Sequence, residues 1–371
     1  MAEITGAITI NDEAAQDLFP PLLEMVVEDD HRMATVFRIK VSIGQQDEGH
    51  WTFLDDDRIK PWNKVTISAN TGDQDQKVIT GYITHLKPHF ESDENNSFLE
   101  ICGMDPTSLM SIEEKIRDWP NKTDSDIARE IFSDYDLTPQ VDETEITHDD
   151  TVSTIIQRET DIQFLKRLAR RNGFECFAKD TTGYFRKPVL TDPPQPVLAV
   201  HFGSETNVVS FEGRINALRP TAVEMHQIDT VGKQLQDATV DSGSLRQLGR
   251  DGATSLTAPG SSSARLFVRQ AIATGEPEMK NLAQAVFDEA AWLIQVNGEI
   301  DAATYGSVLQ TKQLVPIKGV GELFSGLYYV TNVKHVFTMD RYTQQFMARR
   351  NAMAPTSSDF GGGGSLLGAL G

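Results

Sequence analysis

Cysteine is nearly absent. Cys102 and Cys176 are the only two in 371 residues, too few for a disulfide framework and without the spacing of a zinc site. Each sits in an apolar, strand-like run and reads as a buried thiol of a protein folded in a reducing compartment. No stretch approaches the ~18 consecutive apolar residues of a membrane span. The opening Met1-Ala2-Glu3-Ile4-Thr5-Gly6 has no basic region leading into an apolar one, so neither an anchor nor a signal peptide is expected. Basic residues are in deficit as well, 34 against 54 acidic, for a net charge of −20. That balance excludes general attraction to phosphate backbones or anionic lipid surfaces. It leaves two readings of the acid: solubility, or a pore wall that keeps anionic cargo from adhering.

Apolar residues at 39% and charged residues at 24% are ordinary globular usage, which excludes wholesale disorder, collagen and a coiled-coil rod. The length suits two or three domains at roughly 150 residues each. From Ala34 to Met104 short strands are predicted at 36–41, 64–68, 77–83 and 97–101, rich in β-branched residues and separated by polar turns. Residues 1–110 therefore read as an antiparallel β-barrel or sandwich. The period then changes. Thr123 with Asp126 predicts a capping box ahead of Ile127, Ile131 and Tyr135. Thr160 or Asp161 caps a second helix carrying Ile162, Leu165 and Leu168, with Lys166, Arg167, Arg170 and Arg171 in its C-terminal half and Gly173 as its stop. A hairpin around Asp180-Thr181-Thr182-Gly183 follows, and residues 111–195 read as an α/β insertion.

Strand texture returns over 196–352, at 197–202, 208–211, 221–225, 309–315, 327–337 and 342–347. One amphipathic helix carries Met279, Leu282, Val286, Ala290, Leu293 and Ile294, with Asn297-Gly298 as its stop. Residues 237–263 read as a long loop, and 353–371 as a flexible Gly-rich tail. An internal echo links the two β regions. Ile83-Thr84-His85-Leu86-Lys87-Pro88-His89-Phe90 aligns without gaps on Val330-Thr331-Asn332-Val333-Lys334-His335-Val336-Phe337, with three identities and two aliphatic exchanges. Each copy follows a glycine, Gly81 or Gly326. Duplication of one β unit is the reading, and three such chains would make a ring of six similar units.

Several segments together resemble the phage late control protein D family, tail hub proteins related to the first part of the spike protein of type VI secretion. They are Gly81-Tyr82-Ile83 with Pro88 and Phe90, Cys102-Gly103-Met104-Asp105, the helix start at 122–128, the run from Asp161 to Phe174, and the closing segment from Gly319 to Thr331. The resemblance implies a mainly β chain with an α+β insertion and two tube-protein-like antiparallel β-barrels, pseudo-hexameric as a homotrimer. It implies a structural baseplate hub of a contractile phage tail or phage-like injection system, assembled in the cytoplasm, joining a six-fold inner tube to a three-fold spike. Partners would be the inner tube protein, baseplate wedge proteins and a separate spike protein, since the sequence ends at Gly371 without a long β-helical extension. DNA or effector cargo would pass through the lumen without specific binding.

No catalytic, cofactor or metal residue is assigned. Gly319-Val320-Gly321 is followed by Phe324 where a dinucleotide fingerprint needs glycine, so a turn is the reading. Asp55-Asp56-Asp57 and His148-Asp149-Asp150 lack the spaced ligands of a calcium loop. His31, His201, His226 and His335 show no paired metal spacing. Glu159 and Asp161 suggest paired carboxylates, but a helix start explains them through capping and the dipole. Lys166, Arg167, Arg170 and Arg171 read as a solvated, dipole-matched helix end, with an acid-binding face as the alternative. Phe164, Leu165 and Leu168 read as core. The competing functions are a baseplate-associated cell-wall hydrolase and a carbohydrate- or receptor-binding β protein.

Overall fold

A computed structural model describes residues 6–47, 49–70, 75–150, 155–228, 232–252, 255, 264–269, 273–356 and 359. The first β unit comprises β1 (Gly6–Ile10), β2 (Leu22–Asp30), β3 (Val36–Ser42), β4 (Lys64–Asn70), β5 (Asp75–His89) and β6 (Phe98–Met104). Period-two alternation turns Phe37, Ile39 and Val41 inward against Val65, Ile67, Leu99 and Ile101. Each such side chain taken out of water contributes about 1.5–3 kcal/mol. The strands predicted from 34 onward do not include β2, which carries Glu24 and Glu28-Asp29-Asp30. It is an internal strand of the sheet, paired with β3 on one side.

The insertion follows as β7 (Glu114–Trp119), α1 (Asp124–Asp134), β8 (Thr138–Val141), β9 (Ile155–Thr160), α2 (Asp161–Asn172), β10 (Glu175–Lys179) and β11 (Thr182–Arg186). The capping box forms: the Asp126 N–H donates to Thr123 Oγ1 at 3.1 Å and the Thr123 N–H to the Asp126 carboxylate at 3.4 Å. Gly173 ends α2 at φ 67°, a left-handed conformation that glycine adopts without strain. The hairpin turn is tighter than anticipated. Thr182 and Gly183 already pair in β11, leaving Asp180-Thr181 to turn.

The second β unit comprises β12 (Leu198–Ala199), β13 (Val208–Ile215), β14 (Ala222–Ile228), β15 (Leu235–Val240), α3 (Glu276–Ala290), β16 (Ile294–Asp301), β17 (Leu314–Lys318), β18 (Gly326–Phe337) and β19 (Tyr342–Arg350). Two expectations need correction. The helix stops at Ala290, and Ile294, Asn297 and Gly298 belong to β16, which is captured by ladders to β13 and β19 on its two sides. Gly298 is there for packing: a Cβ would lie 2.5 Å from the Ser210 carbonyl oxygen and 2.9 Å from the Phe346 ring. The loop reading of 237–263 fails at its start, where β15 pairs with β14. Residues 253–254 and 256–263 lie outside the described residues, as do 357–358 and 360–371 of the Gly-rich tail.

The chain is mainly β, and most pairings are antiparallel; β12 with β17, β8 with β11 and β14 with the short strand Arg265–Phe267 are parallel. One 13-stranded sheet runs in the order β13-β16-β19-β18-β2-β3-β6-β5-β4-β1, ending in the two-residue strand Glu13–Ala14 beside β1, with β17 against β18 and β12 against β17. Among the described residues neither β unit closes into a barrel. The reason lies in β2: its outer edge, which a closed first unit would pair with β1, is occupied by β18 from the other half of the chain. The sheet still curls, since a Cβ at Gly6 in β1 would stand 2.9 Å from Met25 Cε in β2.

Candidate assembly surfaces

The two β units share one strand order and one register. Within the first, β2-β3-β6-β5-β4 are neighbours; within the second, β13-β16-β19-β18-β17 are. The irregularities coincide too. The β5–β6 ladder slips between Ile83 and His85, and the β18–β19 ladder between Val330 and Asn332. The extra residue is a threonine in both, and its hydroxyl donates across the bulge, Thr84 Oγ1 to the Cys102 carbonyl at 3.4 Å and Thr331 Oγ1 to the Met347 carbonyl at 3.1 Å. Ile83 exchanges backbone bonds with Trp62 and Asn63, as Val330 does with Lys312 and Gln313. Trp62 and Lys312 both have left-handed backbones, at φ 72° and 60°. A second bulge sets out Leu23 in β2 and Val209 in β13, each one residue into its strand and each exposed. The aligned octapeptides therefore occupy one structural position. Gly81 and Gly326 do not, since Gly81 pairs with Val65 whereas the matching place in β18 is Tyr328, paired with Val315.

The units meet where β2 pairs with the C-terminal half of β18, from Asn332 opposite Asp30 to Phe337 opposite Met25. Lys312 reaches across this joint, its Nζ 2.9 Å from Asp29 Oδ1. Asp29 also accepts from Thr35 Oγ1 at 2.9 Å and from Thr311 Oγ1. Burial pushes the Asp29 carboxyl up, but Lys312 and these donors outweigh it and hold it below the usual carboxylate value. Asn332 Nδ2 donates to Glu28 and Asp30. His335 is wholly enclosed, its Nδ1 2.8 Å from Tyr342 Oη, and burial lowers its pKa to about 4.

A second seam ties the insertion to α3. Asp124 is buried and takes His148 Nε2 at 2.7 Å and Asn172 Nδ2 at 2.6 Å. Arg171 pairs with Glu278 of α3, and Asn281 of α3 donates to Asn172 at 2.8 Å. The basic cluster on α2 divides: Arg167 and Arg170 are exposed, as a solvated helix end requires, while Lys166 and Arg171 are partly covered. Arg171 is largely enclosed, Arg167 holds Glu159 at 2.6 Å and the Ile156 carbonyl at 2.9 Å, and Lys166 lines a cavity of about 330 Å³ with His31, Glu175, Cys176, Trp292 and Arg349. Arg170 stays exposed. Burial lowers the His31 pKa to about 4 and pushes the Cys176 thiol up to about 12, so neither is charged at neutral pH.

The remaining candidates scatter. Asp161 is not a cap, because α2 has no side-chain cap bond. Its carboxylate takes Lys115 Nζ at 2.5 Å, Tyr135 Oη at 2.7 Å and Gln157 Nε2 at 2.7 Å, and Glu159 turns to Arg167. Asp55 receives the Trp51 N–H, Asp56 binds Arg58 and Asp57 binds Lys60, three separate partners instead of one cradle. Gly319-Val320-Gly321 turns from β17 to β18 with both glycines at positive φ. His201 is exposed and His226 lies 3.4 Å from Glu224. Among the described residues no group of three His, Cys, Asp or Glu side chains is placed to hold a metal ion. No described helix is long and apolar enough to cross a membrane. Phe164, Leu165 and Leu168 are fully enclosed in the insertion core.

The sequence matches the family model described as the Alg8 N-terminal domain over residues 2–338. The chain belongs to the Alg8 N-terminal domain family. That description names no reaction, and no curated protein matches the sequence. Solved structures speak to the fold of this family member. A 43 kDa tail protein of prophage MuSo2 from Shewanella oneidensis superposes with TM-score 0.66 at 15% identity, covering 94% of this chain and 99% of that one. A tail protein from Neisseria meningitidis MC58 gives 0.64 at 12%, covering 95% and 99%. An E. coli component of the type VI secretion system, described as similar to the T4 bacteriophage tail proteins gp27 and gp5, gives 0.56 at 14%, covering 97% and 79%. The resemblance to tail hub proteins and their type VI relatives therefore holds at the level of the fold.

Proposed function

We propose that this chain is the structural hub of a contractile phage tail or phage-like injection baseplate. Three copies form a ring of six similar β units that takes the six-fold inner tube on one face and a separate three-fold spike on the other. One observation carries the reading: a single chain holds two β units of the same strand order and register, joined edge to edge by β2 and β18. Two such units per chain make three chains imitate a hexagon. In this reading residues 1–110 and 196–352 are the tube-like units, 111–195 an outer insertion and 353–371 a tail. Late control protein D is the hub type it matches. The role is assembly and force transmission, not catalysis, and Asp29, Asp124, Glu159 and Asp161 are each engaged in internal pairs. Baseplate wedge proteins contact the outside, and DNA or effector protein passes through the lumen of a particle assembled in the cytoplasm. Light scattering with negative-stain imaging, on the chain alone and co-expressed with its spike, tests this. A ring-shaped trimer is expected; a monomer that cleaves peptidoglycan or binds glycan overturns it.

A further inference from the structure

The joint inside the chain has two unused counterparts. Through the shared register, β13 stands in the second unit where β2 stands in the first, and the end of β5 stands where the end of β18 does. Among the described residues β13 pairs only with β16. The β4 ladder and its continuation leave β5 at Ile83, so the outer edge of His85–His89 has no strand beside it among the described residues. Exposure agrees: His85, Lys87, Pro88, His89 and Phe90 are exposed, whereas Asn332, His335 and Phe337, at the matching places in β18, are covered by β2.

We propose that the partner of these two edges is a second copy of this chain, β13 of one copy pairing antiparallel with the end of β5 of the next in the register of the internal joint. This rests on the hub reading and specifies its interface. The register sets His85 opposite Asn216, Leu86 opposite Ile215, Lys87 opposite Arg214, Pro88 opposite Gly213, His89 opposite Glu212 and Phe90 opposite Phe211. Side-chain chemistry follows the placement. Lys312 crosses the internal joint to Asp29; its counterpart is Trp62 and that of Asp29 is Ile215, so an ion pair is replaced by an apolar contact, with Leu86 completing the cluster. Trp62 is 49% exposed and sits at φ 72°, a costly conformation for a bulky residue that its own chain covers only by half. A neighbouring copy would cover it. Phe90 meets Phe211 as Phe337 meets Met25, and His89 meets an acid. Two features weaken the ladder without reversing it: Lys87 and Arg214 are like charges on an exposed face, and Pro88 offers no N–H. Each copy carries one edge of each kind, so the contact is head-to-tail, and a rotation of one third of a turn per copy closes it into the ring that the hub reading requires.

The full-length chain carrying His89→Cys and Glu212→Cys places two thiols at facing positions, whose Cα separation of about 4.5–5.5 Å suits a disulfide. In a control with His85→Cys and Glu212→Cys, the four-residue offset separates the thiols by roughly 13 Å. On oxidation the first pair is expected to give reducible covalent dimers and trimers on denaturing gels, and the control none. Trp62→Gly suits the positive φ, so thermal unfolding of the isolated chain should hold or improve while the trimer dissociation constant rises about tenfold or more. A trimer that forms without the in-register cross-link, cross-links the control equally well, or ignores Trp62→Gly overturns this joint and leaves the hub standing. A chain that is monomeric by light scattering at every concentration, both alone and co-expressed with its spike, removes both.

Discussion

Asp161 and His335 show how little a residue's type says about its work. In sequence Asp161 looks like a helix cap; in the fold it receives Lys115, Tyr135 and Gln157. Burial raises its carboxyl, yet these donors prevail and hold it below the ordinary value. Asp161→Ala strands a buried glutamine amide and an ammonium, and is expected to cost about 2–4 kcal/mol in urea unfolding. A loss under about 0.5 kcal/mol would contradict the network. His335, 2% exposed, has its pKa lowered to about 4, so the unfolded chain takes up a proton below about 6.5 that the folded chain refuses. Stability is therefore present above that pH and falls progressively between pH 6.5 and 4, by about 3 kcal/mol from this group. Tyr342 and Asp29 are the polar groups acting on it, and Asp29 opposes the shift without cancelling it. Chemical denaturation across this range should show the slope in the native chain and a shallower one in His335→Gln.

Elements were legible where their periodicity was local. The capping box at Thr123, the stop at Gly173 and the alternation of β3 all depend on residues within one turn or strand. The failures are elements defined by neighbours far away. Leu293, Ile294, Asn297 and Gly298 continue a helical spacing from α3, but β13 and β19 claim them as a strand from both sides. β2 looks too acidic for a core strand until Lys312 and Asn332 are brought to its acids. Lys312→Ala should thus act on the joint, leaving Asp29 half-buried with its charge unmatched, at about 3 kcal/mol of stability. Hydrogen exchange should show the loss first in β2 and the end of β18. Uniform loosening of the insertion instead would place the effect elsewhere.

For the whole molecule, charge and edges pull in opposite directions. A net charge of −20 per chain opposes bringing three copies together, and salt screens that repulsion, with a Debye length of about 30 Å at 0.01 M falling to 3 Å at 1 M. If the trimer is held by strand pairing and apolar contacts, it should tighten as sodium chloride rises from 0.02 to roughly 0.5 M, by sedimentation equilibrium. Weakening over that range would indicate an interface built on ion pairs. The same acidity would suit a lumen that passes anionic cargo.

Composition and period alone determined that the chain is mainly β and interrupted by a capped helical insertion, because alternation, capping and turn chemistry act within a few residues. They also exposed the echo between the two octapeptides, since equal structural positions select similar side chains. Only the tertiary structure decided that the two units pair through β2 and β18, that Arg171 of α2 meets Glu278 of α3, and which edges stay unpaired among the described residues. Those outcomes depend on groups hundreds of residues apart meeting at hydrogen-bond distance, and no local spacing in a sequence encodes that meeting.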